Sequence, residues 1–483
     1  MPFCRKFRIS FSAVVLLGVT EVSVQAQKSA EHFFTSEALK GAVVTATLTD
    51  LVTGEVLETF RPDERLCPAS VWKIFVTAAA LEELGPDFRF RTVLAYRGAI
   101  HGHTLRGDLL IIGGGDPALG SRHFGEGVEA LLNDWTAAVK AAGIDSVTGA
   151  VIANAAHFRG DGIPRTRIWE DMANYYGAAV SGLNIHDNTY FVDFTTQSEP
   201  GMPASINFVR PEVPELKLTG EVYSSTVRSD LAYIFGAPGS SERKVRGTLP
   251  LGQNSFTVKG SLPDPPLFAA FHLRKALLQS GVFVAGPYMA EVDAVPEPAT
   301  VTSLSEHRSP PLSDIVRHTL TESDNLMSEV LLFQLGARSG DATLEGGLAA
   351  LLNHYAGFTG LEHPFFAYDG SGLSRFNAVS SRMVTQVLVR AAQRDVLNGH
   401  LIDALPLAGK EGTVRYFAKN TNLDGNLRLK SGSMDKVKAY AGVFQTYTGR
   451  QLAFAFAANN FSGSPVEVRI AVERWLVAAY GNY

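Results

Sequence analysis

Alternation of apolar and polar residues is clearest at the two ends of the chain. It predicts a hairpin near the N-terminus and three consecutive strands near the C-terminus: residues 41–49, 56–60, 426–432, 439–447 and 451–458. Residues 465–480 then have the spacing of a closing helix. We therefore expect one antiparallel sheet, built from both ends of the chain and flanked by helices, which is an α+β fold.

Helical spacing of apolar residues occurs in two further parts of the chain. One helix is predicted from about Ser70 to Gly85-Pro86, and four more at residues 267–280, 312–336, 344–357 and 381–398. From about residue 117 to about residue 260 the pattern is one of short strands and Gly/Pro turns, with a single helix at residues 127–142. This low helical content indicates a separate, mainly β region.

The change of pattern predicts a discontinuous domain that carries a large insertion. We assign residues 27–93 and 301–483 to the discontinuous domain and residues 94–300 to an insertion of one or two smaller, mainly β domains. The C-terminal boundary of the insertion could also lie near residue 262, where helical spacing returns. A chain of 483 residues is long for one domain, which agrees with this division.

The N-terminus has the three parts of a secretory signal. Basic residues precede a short apolar stretch at residues 13–19, and Val24-Gln25-Ala26 is a small-residue cleavage site. The apolar stretch is too short to cross a bilayer. We predict a signal peptide over residues 1–26, a periplasmic or otherwise secreted protein, and no transmembrane anchor.

Composition and charge exclude several classes of function. Hydrophobic residues make up 46% of the chain and charged residues 19%, as in ordinary globular proteins. The net charge is −5, and it becomes more negative when the basic signal is removed, which argues against nucleic acid as a partner. Cys67 is then the single cysteine. His101 and His103 lack a second pair of ligands, so we predict no metal and no cofactor.

Ser70 and Lys73 form the first motif with chemical meaning. Helical spacing of three places both side chains on one face, behind Pro68 and at the head of an alanine-rich apolar run. A serine hydroxyl needs a proton acceptor to act as a nucleophile, and a buried lysine with a lowered pKa can serve. The spacing alone also arises by chance, as it does from Ser241 and from Ser433.

Two later motifs complete a pattern with the first. Ser323-Asp324-Asn325 is predicted either to open or to lie within the helix around residues 320–332. Lys430-Ser431-Gly432, followed by Ser433, is predicted on a strand near the C-terminus. Serine penicillin-recognising enzymes carry these three motifs in this order. The order and the secondary-structure context are more specific than any one of the motifs.

On these motifs the chain resembles the class C low-molecular-mass penicillin-binding proteins. These are serine D-Ala-D-Ala carboxypeptidases/endopeptidases with a large insertion after the first motif. The resemblance extends over essentially the whole mature chain and includes residues 113–117, 369–375 and 408–413. It implies a penicillin-binding, serine β-lactamase-like transpeptidase domain, an antiparallel sheet flanked by helices, with a mainly β insertion. The implied partners are peptidoglycan stem peptides, with D-Ala-D-Ala ends or D-Ala-diaminopimelate cross-links, and β-lactams.

Chemical reasoning and the resemblance assign the same roles. The predicted catalytic residues are Ser70, Lys73, Ser323, Asn325 and Lys430. Ser70 attacks the carbonyl of the penultimate D-Ala and passes its proton to Lys73. Backbone N–H groups of Ser70 and Ser433 are expected to form the oxyanion hole. The predicted substrate-binding residues are Ser431, Gly432, Ser433, Asp171, Tyr176 and Arg375.

The last three substrate-binding residues are implied by the resemblance. In the family, the diaminopimelate arm of the stem peptide meets an aspartate, an aromatic residue and an arginine, which match Asp171, Tyr176 and Arg375. The chain departs from the family at Ser431, where threonine is usual, and at Asp435, where a polar amide is frequent. Asp171 could also be an ordinary surface carboxylate.

Two other functions use part of the same sequence evidence. A β-lactamase carries the same three motifs, but it also needs a deacylating carboxylate and lacks such a large insertion. A non-catalytic peptidoglycan-binding protein has no need of all five predicted catalytic residues. The balance between carboxypeptidase and endopeptidase activity is left open by the sequence.

Overall fold

The computed structural model describes residues 28–357, 365–394 and 397–483. The predicted signal peptide lies outside the described residues. Within that part of the chain, no helix is both long enough and apolar enough to span a membrane. The structure has an α+β architecture in which one sheet is built from both ends of the chain.

The N-terminal part forms the predicted hairpin and the helix that follows the first motif. Its elements are β1 (Lys28–Ser29), β2 (Val43–Asp50), β3 (Val56–Phe60), β4 (Arg65–Leu66) and α1 (Lys73–Leu84). β2 and β3 pair antiparallel, which confirms the hairpin. Asp50 starts the turn because its carboxylate accepts the backbone N–H groups of Val52 and Thr53.

The middle of the chain is mainly β, as predicted. Its elements are β5 (Arg91–His101), β6 (Thr104–Ile112), α2 (Val128–Ala141), β7 (Ser146–Val147), β8 (Val151–Asn154), β9 (Thr189–Thr195), β10 (Ser205–Arg210), β11 (Lys217–Ser225), β12 (Leu231–Phe235), β13 (Glu242–Pro250), β14 (Phe256–Ser261), α3 (Pro265–Gln279), β15 (Phe283–Val284), β16 (Tyr288–Glu291) and β17 (Thr302–Arg308). One seven-stranded sheet contains β5–β8 and β15–β17, and β9–β14 form two three-stranded sheets.

The C-terminal part contains helices followed by the predicted strands. Its elements are α4 (Leu312–Glu322), α5 (Asn325–Arg338), α6 (Leu344–Ala356), β18 (Val379–Ser380), α7 (Ser381–Gln393), β19 (Arg428–Met434), β20 (Val437–Gln445), β21 (Gln451–Asn459) and α8 (Pro465–Asn482). α8 begins with a capping box, in which the Ser464 hydroxyl accepts the Glu467 N–H and the Glu467 carboxylate accepts the Ser464 N–H.

The six-stranded sheet has the order β1-β3-β2-β21-β20-β19. It is antiparallel except for β1, which runs parallel to β3. Alternate residues of β21 pack into two different hydrophobic cores. Ala453, Ala455 and Ala457 face the core that contains α1, α5 and α7, whereas Phe454 and Phe456 face the core that contains α8. The sheet is therefore buried on both faces, with small side chains toward the first motif.

Strand pairing bears on the limits of the insertion. β17 pairs with β5, so residues 302–308 join the seven-stranded sheet although the prediction groups them with 301–483. α3 packs in the hydrophobic core of the middle region together with Leu262. Both observations favour an insertion that ends after Arg308 over one that ends near residue 262. The domain limits themselves remain predictions.

Candidate active site

Ser70 lies at the N-terminal end of the helix that follows it. A 3-10 turn, Ala69–Trp72, leads directly into α1. The helix is held in the core because residues 74–76 and 78–81 are buried apolar residues. The Trp72 indole N–H donates to the Asp369 carbonyl at 2.8 Å, which ties the turn to the loop at residues 369–375. The hydroxyl group of Ser70 is half-buried on the wall of a cleft.

Lys73 is buried beneath Ser70 and has three hydrogen-bond acceptors. Its Nζ atom lies 3.0 Å from Ser70 Oγ, 2.7 Å from Asn325 Oδ1 and 2.6 Å from the Ser371 carbonyl oxygen. The amide and carbonyl oxygens can only accept hydrogen bonds. When the amine is neutral, its two N–H groups stay on these oxygens and its lone pair is directed at the Ser70 hydroxyl.

Burial changes the protonation of Lys73. Loss of solvation lowers its pKa from the ordinary 10.5 to about 8, although three buried or half-buried carboxylates oppose the shift. These are Asp369, Asp324 and Glu329. The pKa of Lys73 therefore lies near neutral pH, which suits a general base.

The second motif lies between two helices, and the predicted continuous helix over residues 312–336 is wrong. α4 ends at Glu322, and Ser323 adopts a left-handed backbone with φ of 63°. The Asp324 carboxylate accepts the Met327 N–H at 2.8 Å and so caps a new helix, α5. Asn325 is the first residue of that helix, and the break directs both Ser323 and Asn325 into the cleft.

The third motif lies on β19, as predicted, at the edge of the six-stranded sheet. Lys430 is fully buried, and its Nζ atom donates to Ser323 Oγ at 2.9 Å and to the Ser431 carbonyl at 2.7 Å. Burial and the neighbouring charges of Lys73 and Lys438 lower the pKa of Lys430. The second and third motifs are thus joined by a direct hydrogen bond.

Gly432 is a site of close approach between β19 and the Ser70 turn. A Cβ atom at this position would lie 2.4 Å from the Pro68 carbonyl oxygen and 3.1 Å from the Ser70 nitrogen. A residue with a side chain therefore cannot occupy this position without moving the strand. The absence of a side chain lets the strand that carries Ser433 lie directly against the Ser70 turn.

Hydroxyl groups on either side of Gly432 have partners that the sequence analysis did not identify. Ser431 Oγ donates to Thr413 Oγ1 at 2.9 Å, and Lys438 donates to Ser433 Oγ. Thr413 belongs to the segment 408–413 already noted for its resemblance. Lys438 gives no sequence signal, since its position follows only from the pairing of β19 with β20.

The three residues predicted to bind the diaminopimelate arm line the same cleft as Ser70. Asp171, Tyr176 and Arg375 are all on its wall, in a cavity of about 640 Å³. Burial raises the pKa of Asp171, opposed by Arg167 and by a hydrogen bond from Tyr176. The backbone carbonyl of Tyr176 accepts from Asn325 Nδ2 at 2.8 Å, so this residue also contacts the second motif.

Asp435, the departure noted in the sequence, also lies in the cleft. Its carbonyl oxygen accepts from Arg375 Nη1 at 3.3 Å. The cleft therefore has acidic and basic groups at the end formed by Asp171 and Arg375. Among the described residues, no group of three or more His, Cys, Asp and Glu side chains could hold a metal ion.

A buried ion pair between Arg167 and Glu329 supports the loop next to the first motif, and this pair was not predicted. Glu329 accepts from the Gly370 N–H, the Ser371 N–H and the Ser371 hydroxyl, at 2.8, 3.2 and 2.7 Å. Arg167 neutralises this carboxylate at 2.9 Å. Glu329 lies one helical turn after Asn325, and this spacing is only a weak sequence signal that Glu329 contacts the site. No sequence pattern indicated a role for Arg167.

The fold and the site together define a serine penicillin-recognising enzyme: a serine at a helix N-terminus, a buried amine beside it, and a lysine-bearing edge strand. A family model described as D-Ala-D-Ala carboxypeptidase 3 (S13) matches residues 25–478. The chain belongs to this family, and it is a hydrolase of the serine carboxypeptidase/endopeptidase class, as the resemblance predicts.

Individual relatives agree with this assignment over most of the chain. The D-alanyl-D-alanine carboxypeptidase of Actinomadura sp. strain R39 is 30% identical and covers 90% of this chain and 81% of the relative. The D-alanyl-D-alanine carboxypeptidase DacB of Haemophilus influenzae is 25% identical, over 86% of this chain and 84% of the relative. The crystal structure of penicillin binding protein 4 from Haemophilus influenzae has a TM-score of 0.82 at 22% identity, over 94% of this chain and 99% of that one.

Proposed function

We propose that this enzyme cleaves the D-Ala-D-Ala ends of peptidoglycan stem peptides through an acyl-enzyme on Ser70, and that β-lactams acylate the same serine. The observation that carries the proposal is the placement of Lys73 Nζ, 3.0 Å from Ser70 Oγ. Two other acceptors hold this amine, so a neutral Lys73 has its lone pair available to one hydroxyl only.

Acylation begins with transfer of the Ser70 proton to Lys73. The Ser70 oxygen attacks the carbonyl carbon of the penultimate D-Ala, and the negative charge develops on the carbonyl oxygen. Backbone N–H groups of Ser70 and Ser433 stabilise this oxyanion, and each such donor contributes about 10²–10³ in rate. The proposal is supported by the close approach of Gly432 to the Ser70 nitrogen, which brings the two backbones together.

The leaving amine then needs a proton. Ser323 Oγ accepts a hydrogen bond from Lys430, so its own proton is free to be donated into the cleft. We assign to Ser323 the relay of a proton: its hydroxyl gives one proton to the amine of the departing D-Ala and takes another from the Lys430 ammonium that donates to it. Water then hydrolyses the acyl-enzyme, and a β-lactam stops at the acyl stage because its leaving group stays attached.

The C-terminal carboxylate of the substrate requires a cation and hydroxyl donors. Lys430 supplies positive charge behind β19, and Ser431 is placed to donate on the strand itself. An incoming carboxylate would stabilise the charged form of Lys430 and so oppose the effect of burial on its pKa. We assign the diaminopimelate arm to Asp171, Tyr176 and Arg375, because a carboxylate and a guanidinium fit its zwitterionic end.

A periplasmic or otherwise secreted location is part of the proposal. It is supported by the signal-like residues 1–26 and by the substrate, which is outside the cytoplasmic membrane. Release of a terminal D-Ala and cleavage of a D-Ala-diaminopimelate cross-link pass through the same acyl-enzyme. Both activities are therefore proposed for the one site.

Labelling with a fluorescent penicillin tests the proposed nucleophile. Wild-type protein should form a covalent adduct that survives denaturation, and Ser70→Ala should form none. Ser241→Ala is the matched control, since Ser241 has the same spacing to a lysine but lies in the middle region. Equal labelling of wild type and Ser70→Ala would reject the proposal, and release of many hydrolysed penicillins per second would favour a β-lactamase.

Mass spectrometry of muropeptides measures the two proposed activities separately. The sample is a digest of purified sacculi that contains monomeric pentapeptides and cross-linked dimers. Incubation with the enzyme should remove terminal D-Ala, cross-links, or both. A non-catalytic binding protein would leave both populations unchanged. Ser70→Ala is the control for contaminating hydrolases.

A further inference from the structure

A second chamber adjoins the catalytic cleft. Its volume is about 410 Å³, and it lies within the middle region of the chain. Four residues line both the cleft and this chamber: Tyr175, Tyr176, Tyr233 and Lys259. The two cavities therefore adjoin each other, with three tyrosines and one lysine at their junction.

Lys259 has a fixed position at this junction. It lies on β14 opposite Phe191 of β9, and its Nζ atom is 5.4 Å from the centre of the Tyr175 ring and 6.0 Å from that of Phe191. Contacts with aromatic faces orient an ammonium group without neutralising it. Tyr175 is half-exposed, so the surface formed by the lysine and the ring is accessible from the cleft.

Within the described ranges, no carboxylate lies within ion-pair distance of Lys259. The half-buried Asp187, which lines the same cleft, is close enough to interact with it electrostatically. Asp230, the acidic residue on the chamber wall, is engaged through Oδ1 with the Ala232 N–H at 2.9 Å. The junction thus offers an ammonium to an incoming anion, and the tyrosine rings around it suit a peptide rather than an isolated ion.

The proposed substrate has an acidic group beyond the diaminopimelate arm. In a stem peptide, diaminopimelate follows a D-glutamyl residue that is linked through its γ-carboxyl group, so the α-carboxylate of that residue remains free. Asp171 and Arg375, which are assigned to the diaminopimelate arm, line the same cleft, and Tyr176 hydrogen-bonds to Asp171. The chamber therefore adjoins the part of the cleft that is assigned to diaminopimelate, and the glutamyl residue is bonded directly to diaminopimelate.

We propose that the chamber behind Tyr175 binds the stem peptide on the N-terminal side of diaminopimelate, with Lys259 binding the free α-carboxylate of the γ-linked glutamyl residue. This inference rests on the proposed function and adds a specificity-determining subsite to it. An ammonium held on an aromatic face pairs with a carboxylate at a half-exposed site, where such a contact changes binding by about three- to tenfold.

Two synthetic pentapeptides that differ in one group test this subsite. Both end in diaminopimelate-D-Ala-D-Ala, but one has a γ-linked glutamyl residue with a free α-carboxylate and the other has the α-carboxamide. Wild type should release D-Ala from the carboxylate peptide with a kcat/KM about three- to tenfold higher than from the carboxamide peptide. Lys259→Met should lose this preference, and Lys259→Arg should retain most of it.

Lys217→Met is the matched control, because Lys217 is an exposed lysine of the same region that pairs with Glu242 and lines neither cavity. It should keep the preference of wild type. Penicillin acylation, which involves no glutamyl residue, should be unchanged in Lys259→Met.

The outcomes separate this inference from the proposed function. Equal rates with the two peptides in wild type, or an unaltered preference in Lys259→Met, would overturn the glutamyl subsite while leaving the serine chemistry intact. Loss of penicillin acylation in Lys259→Met would also overturn it, since the lysine would then support the fold of the catalytic centre. Failure of wild type both to bind penicillin and to release D-Ala would reject the proposed function and the subsite with it.

Discussion

Arg167 Nη2 lies 2.9 Å from Glu329 Oε1, and the two side chains are 1% and 2% exposed. Arg167 comes from the middle region and Glu329 from α5, so the pair connects two parts of the protein that are far apart in sequence. Glu329 also holds Ser371, whose carbonyl oxygen accepts from Lys73. The buried pair therefore supports one of the three acceptors around the proposed general base.

Replacing Arg167 by methionine should destabilise the enzyme because Glu329 would remain buried without its cation. Breaking one side of a buried ion pair costs about 3–5 kcal/mol. Denaturant unfolding should show this loss in Arg167→Met and only a small change in Arg165→Met, which removes an exposed arginine two residues away. The double variant Arg167→Met/Glu329→Gln should recover part of the stability. Identical unfolding of wild type and Arg167→Met would contradict the structural role of the pair.

Acylation by penicillin should accelerate with pH because the proposed proton acceptor is the neutral form of Lys73. With a pKa of about 8, about one molecule in ten has a neutral Lys73 at pH 7, and most have one above pH 9. The second-order acylation rate should rise through pH 8 and then level off. The unfolded chain keeps this proton up to about pH 10.5, so the contribution of Lys73 to stability also increases between pH 8 and 10.5.

Lys73→Arg tests the assignment of that pH dependence. Arginine keeps the positive charge but does not lose its proton, so acylation should fall by about 10²–10⁴ and lose its dependence on pH. Lys436→Arg is the control, because Lys436 has the same spacing to Ser433 as Lys73 has to Ser70 but is exposed. A rate profile that is unchanged in Lys73→Arg would show that another group accepts the proton.

The six-stranded sheet and the three motifs could be predicted because they depend on local patterns. Strand alternation near the two termini led to the sheet, and helix and strand context led to Ser70, Ser323 and Lys430. The break between α4 and α5 was missed because no proline or glycine marks it, and apolar spacing continues across it. The break depends on Asp324. Its carboxylate caps the N-terminus of α5, so a new helix begins there and α4 does not continue.

The partners of the site were harder to predict because they come from distant segments. The Ser371 carbonyl is a backbone group, so no side-chain pattern indicates its contact with Lys73. Lys438 reaches Ser433 through strand pairing, and Arg167 reaches Glu329 through packing of the middle region on α5. Contacts of this kind require the tertiary structure.

Asp171→Asn should separate recognition of the diaminopimelate arm from acylation. The variant removes a charge from the part of the cleft that contains Arg375, so kcat/KM for peptides with a free diaminopimelate end should fall by about tenfold or more. Penicillin acylation should stay nearly unchanged, since penicillin lacks that arm. Asp161→Asn, at an exposed position of the same region, is the control. Equal losses in both assays would place the diaminopimelate subsite elsewhere.

Gly432→Ala should impair acylation through geometry alone. The added Cβ atom would meet the Pro68 carbonyl oxygen at 2.4 Å, so β19 must move away from the Ser70 turn and take Ser433 with it. Displacing one oxyanion donor should lower the acylation rate by about 10²–10³. Gly125→Ala is the matched control, because a Cβ atom at Gly125 would meet no atom within 4 Å. Rapid-quench labelling with fluorescent penicillin gives the rates, and thermal unfolding shows whether the variant is folded. A folded Gly432→Ala protein with the acylation rate of wild type would exclude Ser433 from the oxyanion hole.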